Sequence, residues 1–201
     1  MILVLNCGSQ SIKWKIFSEK LKLVKQSKRE VLNADSFEEE LAAELENIAD
    51  YKNKITLAGH RVVHGGGVFV KPVKITPEIL AELEKISHLA PMHNPFNILG
   101  IKTCQNFFKE AKNIAVFDTE FFADLPDFAK TYPLPENITI EFGIQRYGFH
   151  GISHEYLCPW IISNLYCIGI THRDVSQLAI RCPSFTFHDR RIQLLYALFF
   201  F

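Results

Sequence analysis

The sequence of 201 residues has no Cys-x-x-Cys pair and no excess of either charge. Before residue 157 it also has no uninterrupted apolar run of membrane-spanning length. Each absence removes a class of protein. Lys and Arg number 22, as do Asp and Glu, so the large positive surplus of a nucleic-acid-binding chain is missing. Up to that point lysines and glutamates interrupt every window of the roughly 18 apolar residues that a membrane helix needs. Residues 1–5 are apolar but have no basic flank and meet Asn6 at once, unlike a secretory leader. The five cysteines are an odd number, which fits free thiols in a reducing compartment. The expected location is the cytoplasm, with no nucleic-acid partner and no membrane.

What is present is ordinary globular composition, 48% hydrophobic and 22% charged, enough for one sizeable core or two small domains. It is unevenly spread. All 15 lysines and all 15 glutamates lie at or before Glu155, whereas residues 158–201 hold four of the seven arginines and three of the five cysteines. At the earlier density that stretch should carry roughly eight Lys plus Glu. Residues 1–157 are therefore expected to form one domain. Residues 158–201 are expected to be an unrelated tail produced by a reading-frame change, with an uncharged, aggregation-prone end over 194–201.

Period-2 alternation in residues 12–17 marks a half-buried strand, and residues 2–5 a short apolar one. Between them Asn6-Cys7-Gly8-Ser9-Gln10-Ser11 reads as a polar hairpin turn, and a third strand is plausible within residues 21–32. Ser36-Phe37-Glu38-Glu39 has the pattern of a capping box opening a helix to about residue 48, with Leu41, Leu45 and Ile48 on one face. Residues 55–63 form a strand. Thr76-Pro77-Glu78 and Asn94-Pro95 are helix starts, and residues 113–117 are a buried strand ending in Asp118. Hairpins followed by alternating strands and helices predict an α/β layered domain.

Several of these segments carry chemistry. The first loop offers hydroxyls, amides, Gly8 and Lys13, an inventory that suits phosphate without being a Walker loop, although an ordinary polar turn has the same composition. Gly59-His60-Arg61-Val62-Val63-His64-Gly65-Gly66-Gly67 sets an anion-gripping arginine at a strand end. Its two histidines read as hydrogen-bonded groups sooner than zinc ligands. Asp118, at the carboxyl end of a strand, points toward the crevice where α/β domains bind ligands; its competing role is to cap the turn at Thr119. Arg146-Tyr147-Gly148-Phe149-His150 could present donors to a developing anion. Cys7 reads as a small buried apolar residue.

In order and spacing, five segments resemble the acetate kinase family. They are residues 5–13 (Leu-Asn-Cys-Gly-Ser-Gln-Ser-Ile-Lys), 59–66 (Gly-His-Arg-Val-Val-His-Gly-Gly), 89–95 (Leu-Ala-Pro-Met-His-Asn-Pro), 116–119 (Val-Phe-Asp-Thr) and 146–154 (Arg-Tyr-Gly-Phe-His-Gly-Ile-Ser-His). The resemblance implies an α/β ribonuclease-H-like domain of the sugar-kinase/actin/Hsp70 superfamily. Only the first lobe is expected, because nothing after residue 157 resembles the family's nucleotide-binding half. It also implies transfer of the ATP γ-phosphoryl to acetate with Mg²⁺, acetate and ATP or ADP being the substrates, and a homodimer. Asn6, Ser9, Ser11 and Lys13 match the phosphate-facing loop. Arg61 matches the arginine that holds acetate or the moving phosphoryl, and His93 and His150 the histidines beside it. Asp118, with Asn6, matches the Mg²⁺-associated position, and Val63, Met92 and Phe149 the pocket for the acetate methyl. Gln145 stands where the family commonly has a second arginine. Propionate or butyrate as acceptor, or a non-catalytic remnant that binds small carboxylates or phosphate, are the alternatives.

Overall fold

In the computed structural model, which describes residues 1–155, the alternation of residues 12–17 does what the pattern requires. Ile12, Trp14 and Ile16 are fully buried on one face of a strand, while Ser11, Lys13 and Lys15 take the other. This strand, β2 (Ser11–Phe17), pairs antiparallel with β1 (Ile2–Gly8) in register Gly8 to Ser11, so the turn is only Ser9-Gln10. The expected six-residue loop is thus shorter: Asn6, Cys7, Gly8 and Ser11 belong to strands, and their side chains have a fixed face. β3 (Leu23–Glu30) extends the meander as an exposed edge.

β4 (Leu57–Val62) lies parallel to β1, and β6 (Lys112–Phe117) parallel to β4; the two-residue β5 (Val73–Lys74) closes the far side. The six-stranded order is β3-β2-β1-β4-β6-β5. Odd residues of β1 (Leu3, Leu5, Cys7) pack with Leu41 and Leu45 of α1 (Phe37–Glu46), Cys104 of α3 (Asn94–Phe107), and Ile48 and Phe108 just past the ends of those helices. A second cluster gathers Val62, Ile101 and Phe117 around Leu83 of α2 (Pro77–Lys85). On the opposite face Val4, Phe17 and Val116 meet Ile152. Two short helices, α4 (Asp127–Lys130) and α5 (Glu136–Phe142), precede the segment that leads to it.

Two helix starts differ from the sequence expectation in their caps. At α1, Ser36 is itself helical and makes no cap bond. Its Oγ lies instead within hydrogen-bonding distance of Glu40 Oε1 (2.8 Å) and the Asn33 carbonyl (2.9 Å), which share its single hydrogen. Glu40 is held by Arg29 at 2.7 Å, and Glu44 accepts from the buried Trp14 indole at 2.8 Å. The acidic face of α1 is committed to β2 and β3, which draws the serine away from its own helix end. At α3 the residue before the helix is His93, and Asn94 lies inside it, fully buried. Thr76 caps α2 as expected, accepting from the Ile79 amide at 3.4 Å.

Among the described residues no helix is long and apolar enough to cross a membrane. The expectations placed on residues 158–201 lie outside the described residues.

Candidate functional site

Parallel pairing brings the carboxyl ends of β1, β4 and β6 to one end of the sheet, side by side. That end is where α/β domains hold ligands. Register then decides which side chains meet. Asn6, Arg61 and Asp118 are neighbours on the same face.

Arg61 Nε donates to Asp118 Oδ1 at 3.0 Å and Oδ2 at 3.1 Å, and Nη2 donates to Oδ2 as well. Arg61 Nη1 donates to Asn6 Oδ1 at 3.3 Å. The arrangement is a side-on fork of the kind that makes arginine–carboxylate pairs strong. Asp118 is 1% exposed; its amide continues the ladder by donating to the Val62 carbonyl at 3.0 Å. The alternative role of Asp118, capping the next turn, is not taken up: the turn over Glu120–Phe122 has no side-chain cap, and Thr119 Oγ1 instead accepts from the Gly65 amide at 3.0 Å.

The segment carrying Phe149 and His150 is fastened to the same point. The Gly151 amide donates to the Asp118 carbonyl at 2.8 Å. A Cβ at Gly151 would lie 2.2 Å from that carbonyl oxygen, so only glycine permits the approach. The side chain of His150 is exposed, and its backbone is left-handed (φ 59°). His93 is exposed at the start of α3.

His64 joins three of these segments. Its amide donates to Asn94 Oδ1 (3.1 Å) while its carbonyl accepts from Asn94 Nδ2 (3.0 Å). Its Nδ1 accepts from the Gly66 amide at 2.9 Å, and its ring meets Tyr147 and Phe149 edge-on, centroids 4.5 and 5.5 Å away. Burial, helped by nearby His88, pushes its pKa down. One helical turn along α3, Asn97 accepts from the Val63 amide at 3.0 Å and donates to the Cys7 carbonyl. Asn94 and Asn97 therefore tie off the ends of β4 and β1. Sequence reading used Asn94 only as a helix start and passed over Asn97; the signal available was their three-residue spacing on one helix face. The two histidines of the Gly59–Gly67 segment do not act as a pair. His60 is buried in β4, its Nε2 2.8 Å from Asn113 Oδ1.

Not every expected residue joins this cluster. Ser9, Ser11, Lys13 and Met92 line an open groove beside the hairpin turn. Met92 is 66% exposed there, while Val63 is buried next to the His64 hub and Phe149 packs on it. Cys7 is buried as expected, and its thiol pKa is pushed up by burial and by Cys104, itself raised to about 12.

Comparison with known proteins converges on one family. A family model described as the acetokinase family matches residues 22–167. The chain is 40% identical over 186 residues to an acetate kinase of Desulforamulus reducens, covering 78% of this chain and 47% of that protein. It is 38% identical over 190 residues to acetate kinase 1 of Vibrio vulnificus, covering 82% and 48%. Two solved structures are similar: acetate kinase from Porphyromonas gingivalis (TM-score 0.68, 30% identity, 82% of this chain and 49% of that one), and a propionate kinase from Francisella tularensis (TM-score 0.69, 31% identity, 82% and 49%). The chain spans about half the length of the curated relatives it matches.

Proposed function

The chain belongs to the acetokinase family, and we propose that its described residues supply the acid-binding wall of an ATP:acetate phosphotransferase. The observation that carries this reading is the Asn6–Arg61–Asp118 cluster at the ends of three adjacent strands. Acetate is already an anion at neutral pH, so its attack on a phosphoryl group needs no strong base. The difficulty is bringing two anions together, which calls for positioning and neutralisation of charge.

Arg61 suits that task. Of its five N–H donors, Asp118 and Asn6 occupy three, and two stay available for a carboxylate or phosphoryl oxygen. His150, fastened through Gly151 to Asp118, is the neighbouring group for the moving phosphoryl, with His93 on the helix beside it. Ser9, Ser11 and Lys13 offer hydroxyls and an ammonium for the rest of the phosphate chain. A Cβ at Gly8 would meet only the Ser11 carbonyl oxygen, at 3.8 Å. Packing does not demand glycine there, which leaves close approach of a phosphate as its use.

Asp118 and Asn6 also fit Mg²⁺ by donor type. Mg²⁺ takes one or two carboxylates and otherwise water and substrate phosphates. Of the roughly four lone-pair directions of a carboxylate, Asp118 commits three to Arg61 and keeps one at Oδ1. When bound, the ion supplies charge neutralisation on the phosphate oxygens; Arg61, oriented by Asp118, holds the acceptor in line.

The test is acetyl phosphate formation from ATP and acetate, trapped as hydroxamate, by the chain alone and with a separately produced C-terminal half of the Vibrio vulnificus relative. Product in the mixed sample, lost on Arg61→Gln, is the expected result. A folded chain that binds acetate but gives no product in either arm supports a non-catalytic carboxylate binder instead. The propionate kinase likeness favours a second acceptor, and replacing acetate with propionate in the same assay decides it.

A further inference from the structure

Beside the cluster, and separate from it, lies a cavity of about 120 Å³ that the phosphotransfer reading does not use. It opens between the three loops that follow β4, follow β6 and lead to Phe149. Lys130 and Arg146 line it, and no carboxylate does. Neither cation has an ion-pair partner among the described residues. The Lys130 ammonium donates to the Ala123 carbonyl at 2.7 Å, and the Arg146 guanidinium lies 5.1 Å over the Tyr132 ring. Arg61, by contrast, is neutralised by Asp118.

The hydroxyls on the wall have a fixed polarity. Thr119 Oγ1 already accepts from the Gly65 amide, so its own hydrogen is available to donate. The Tyr147 hydroxyl accepts from Gln145 Nε2, which likewise turns its hydrogen outward. With the ammonium and guanidinium, these hydroxyls make the polar wall rich in donors, Gln145 Oε1 being its one side-chain amide acceptor, and suit an occupant that accepts. The remaining surface is apolar: Phe69, Val70 and Phe122. Gly67 keeps the mouth open, because a Cβ there would come within 3.3 Å of Gln145 Nε2 and 3.4 Å of the Tyr147 hydroxyl.

We propose that this cavity binds a small oxyanion, and specifically a short-chain monocarboxylate whose alkyl end rests on Phe69, Val70 and Phe122. Its oxygens take the Arg146 and Lys130 cations and the Thr119 hydroxyl. Thr119 follows Asp118 directly and Tyr147 lies two residues before Phe149, so the cavity adjoins the cluster. The inference stands independently of the phosphotransfer reading.

The experiment is ligand-observed saturation-transfer NMR and calorimetric titration of the full chain with formate, butyrate and inorganic phosphate. Saturable butyrate binding is expected with a Kd on the order of 1 mM, a modest free energy. Arg146→Gln is expected to weaken it about tenfold, the scale of one charge-assisted hydrogen bond. Arg146 is exposed, so this variant keeps its fold, checked by an unchanged melting curve. Val70→Glu, which sets a carboxylate on the wall, is expected to abolish binding, whereas Lys109→Gln, at an exposed cation outside the cavity, leaves it intact. Loss in Lys109→Gln with retention in Arg146→Gln overturns the site. No saturable binding of any of the three anions overturns it too. Phosphate bound more tightly than butyrate, or formate as tightly, overturns the assignment of the alkyl contact.

Discussion

Arg61 and Asp118 form an ion pair in which the acid is the deeper partner: the Asp118 side chain is 2% exposed and that of Arg61 24%. Breaking the pair from its two sides therefore gives different results. Arg61→Gln strands a buried carboxylate, and should cost about 3 kcal/mol or more. Asp118→Asn leaves a cation that can still reach water, and should cost less. Urea unfolding of both variants measures the order, and a larger loss for Asp118→Asn contradicts the geometry.

Asn97 bridges two strand ends with one amide, through the Val63 amide and the Cys7 carbonyl. Asn97→Ala leaves both groups buried without that partner, each at about 1–3 kcal/mol. A fall in stability of about 2–4 kcal/mol is expected, accompanied by faster hydrogen exchange at the Val63 amide. An exchange rate at Val63 unchanged relative to β4 rules the bridge out.

Gly100, on α3, faces Cys7 so closely that a Cβ would lie 2.5 Å from its sulfur and 2.9 Å from its Cβ. Gly100→Ala should destabilise the chain by about 1–3 kcal/mol through overpacking, despite alanine's better helix propensity. Cys7→Ala removes the nearer contact but not the second, so the double variant should recover only part of the loss. A double-mutant cycle reads this coupling; additive effects would show the two residues do not touch.

His60 is held neutral in β4, its pKa pushed down to about 4 by burial against the opposing pull of its Asn113 bond. The unfolded chain takes up this proton near pH 6.5 and the native state only near 4. The stability it contributes is complete above about pH 6.5 and drains away as the pH falls toward 4, by about 3 kcal/mol in all. NMR of the His60 ring carbon should show no protonation at pH 5.5. A midpoint near 6.5 in the folded protein sinks the prediction.

The strands were legible because the sheet is half buried and its alternation survives in the sequence, as in residues 12–17. So was Asp118 at a strand end, since nothing but the end of an apolar run is needed to see it. The caps were not: Ser36 turns to Glu40, whose own partner Arg29 comes from β3, and Asn94 to His64, and local pattern carries no trace of the Arg29 and His64 contacts. The hub at His64 escaped for the same reason. Its bonds use backbone atoms and edge-on ring contacts with Tyr147 and Phe149, some 83 and 85 residues onward. The five family-like segments gave the cluster its members, but not its pairing geometry. Spacing alone could not tell that Asn6 sits in a strand instead of a loop, or that Met92 lines the hairpin groove.

β1 is flanked by β2, its immediate successor, and by β4, whose His60 stands opposite Leu5. Of the six described strands β1 is made before the others, yet it ends up inside the finished sheet. Until β4 has been made and released from the exit tunnel, the β4-facing edge of β1 has open amides and carbonyls. A nascent chain stalled before that point offers a sticky border to whatever strand comes by, and slowing translation between β3 and β4 should lengthen its dependence on chaperones.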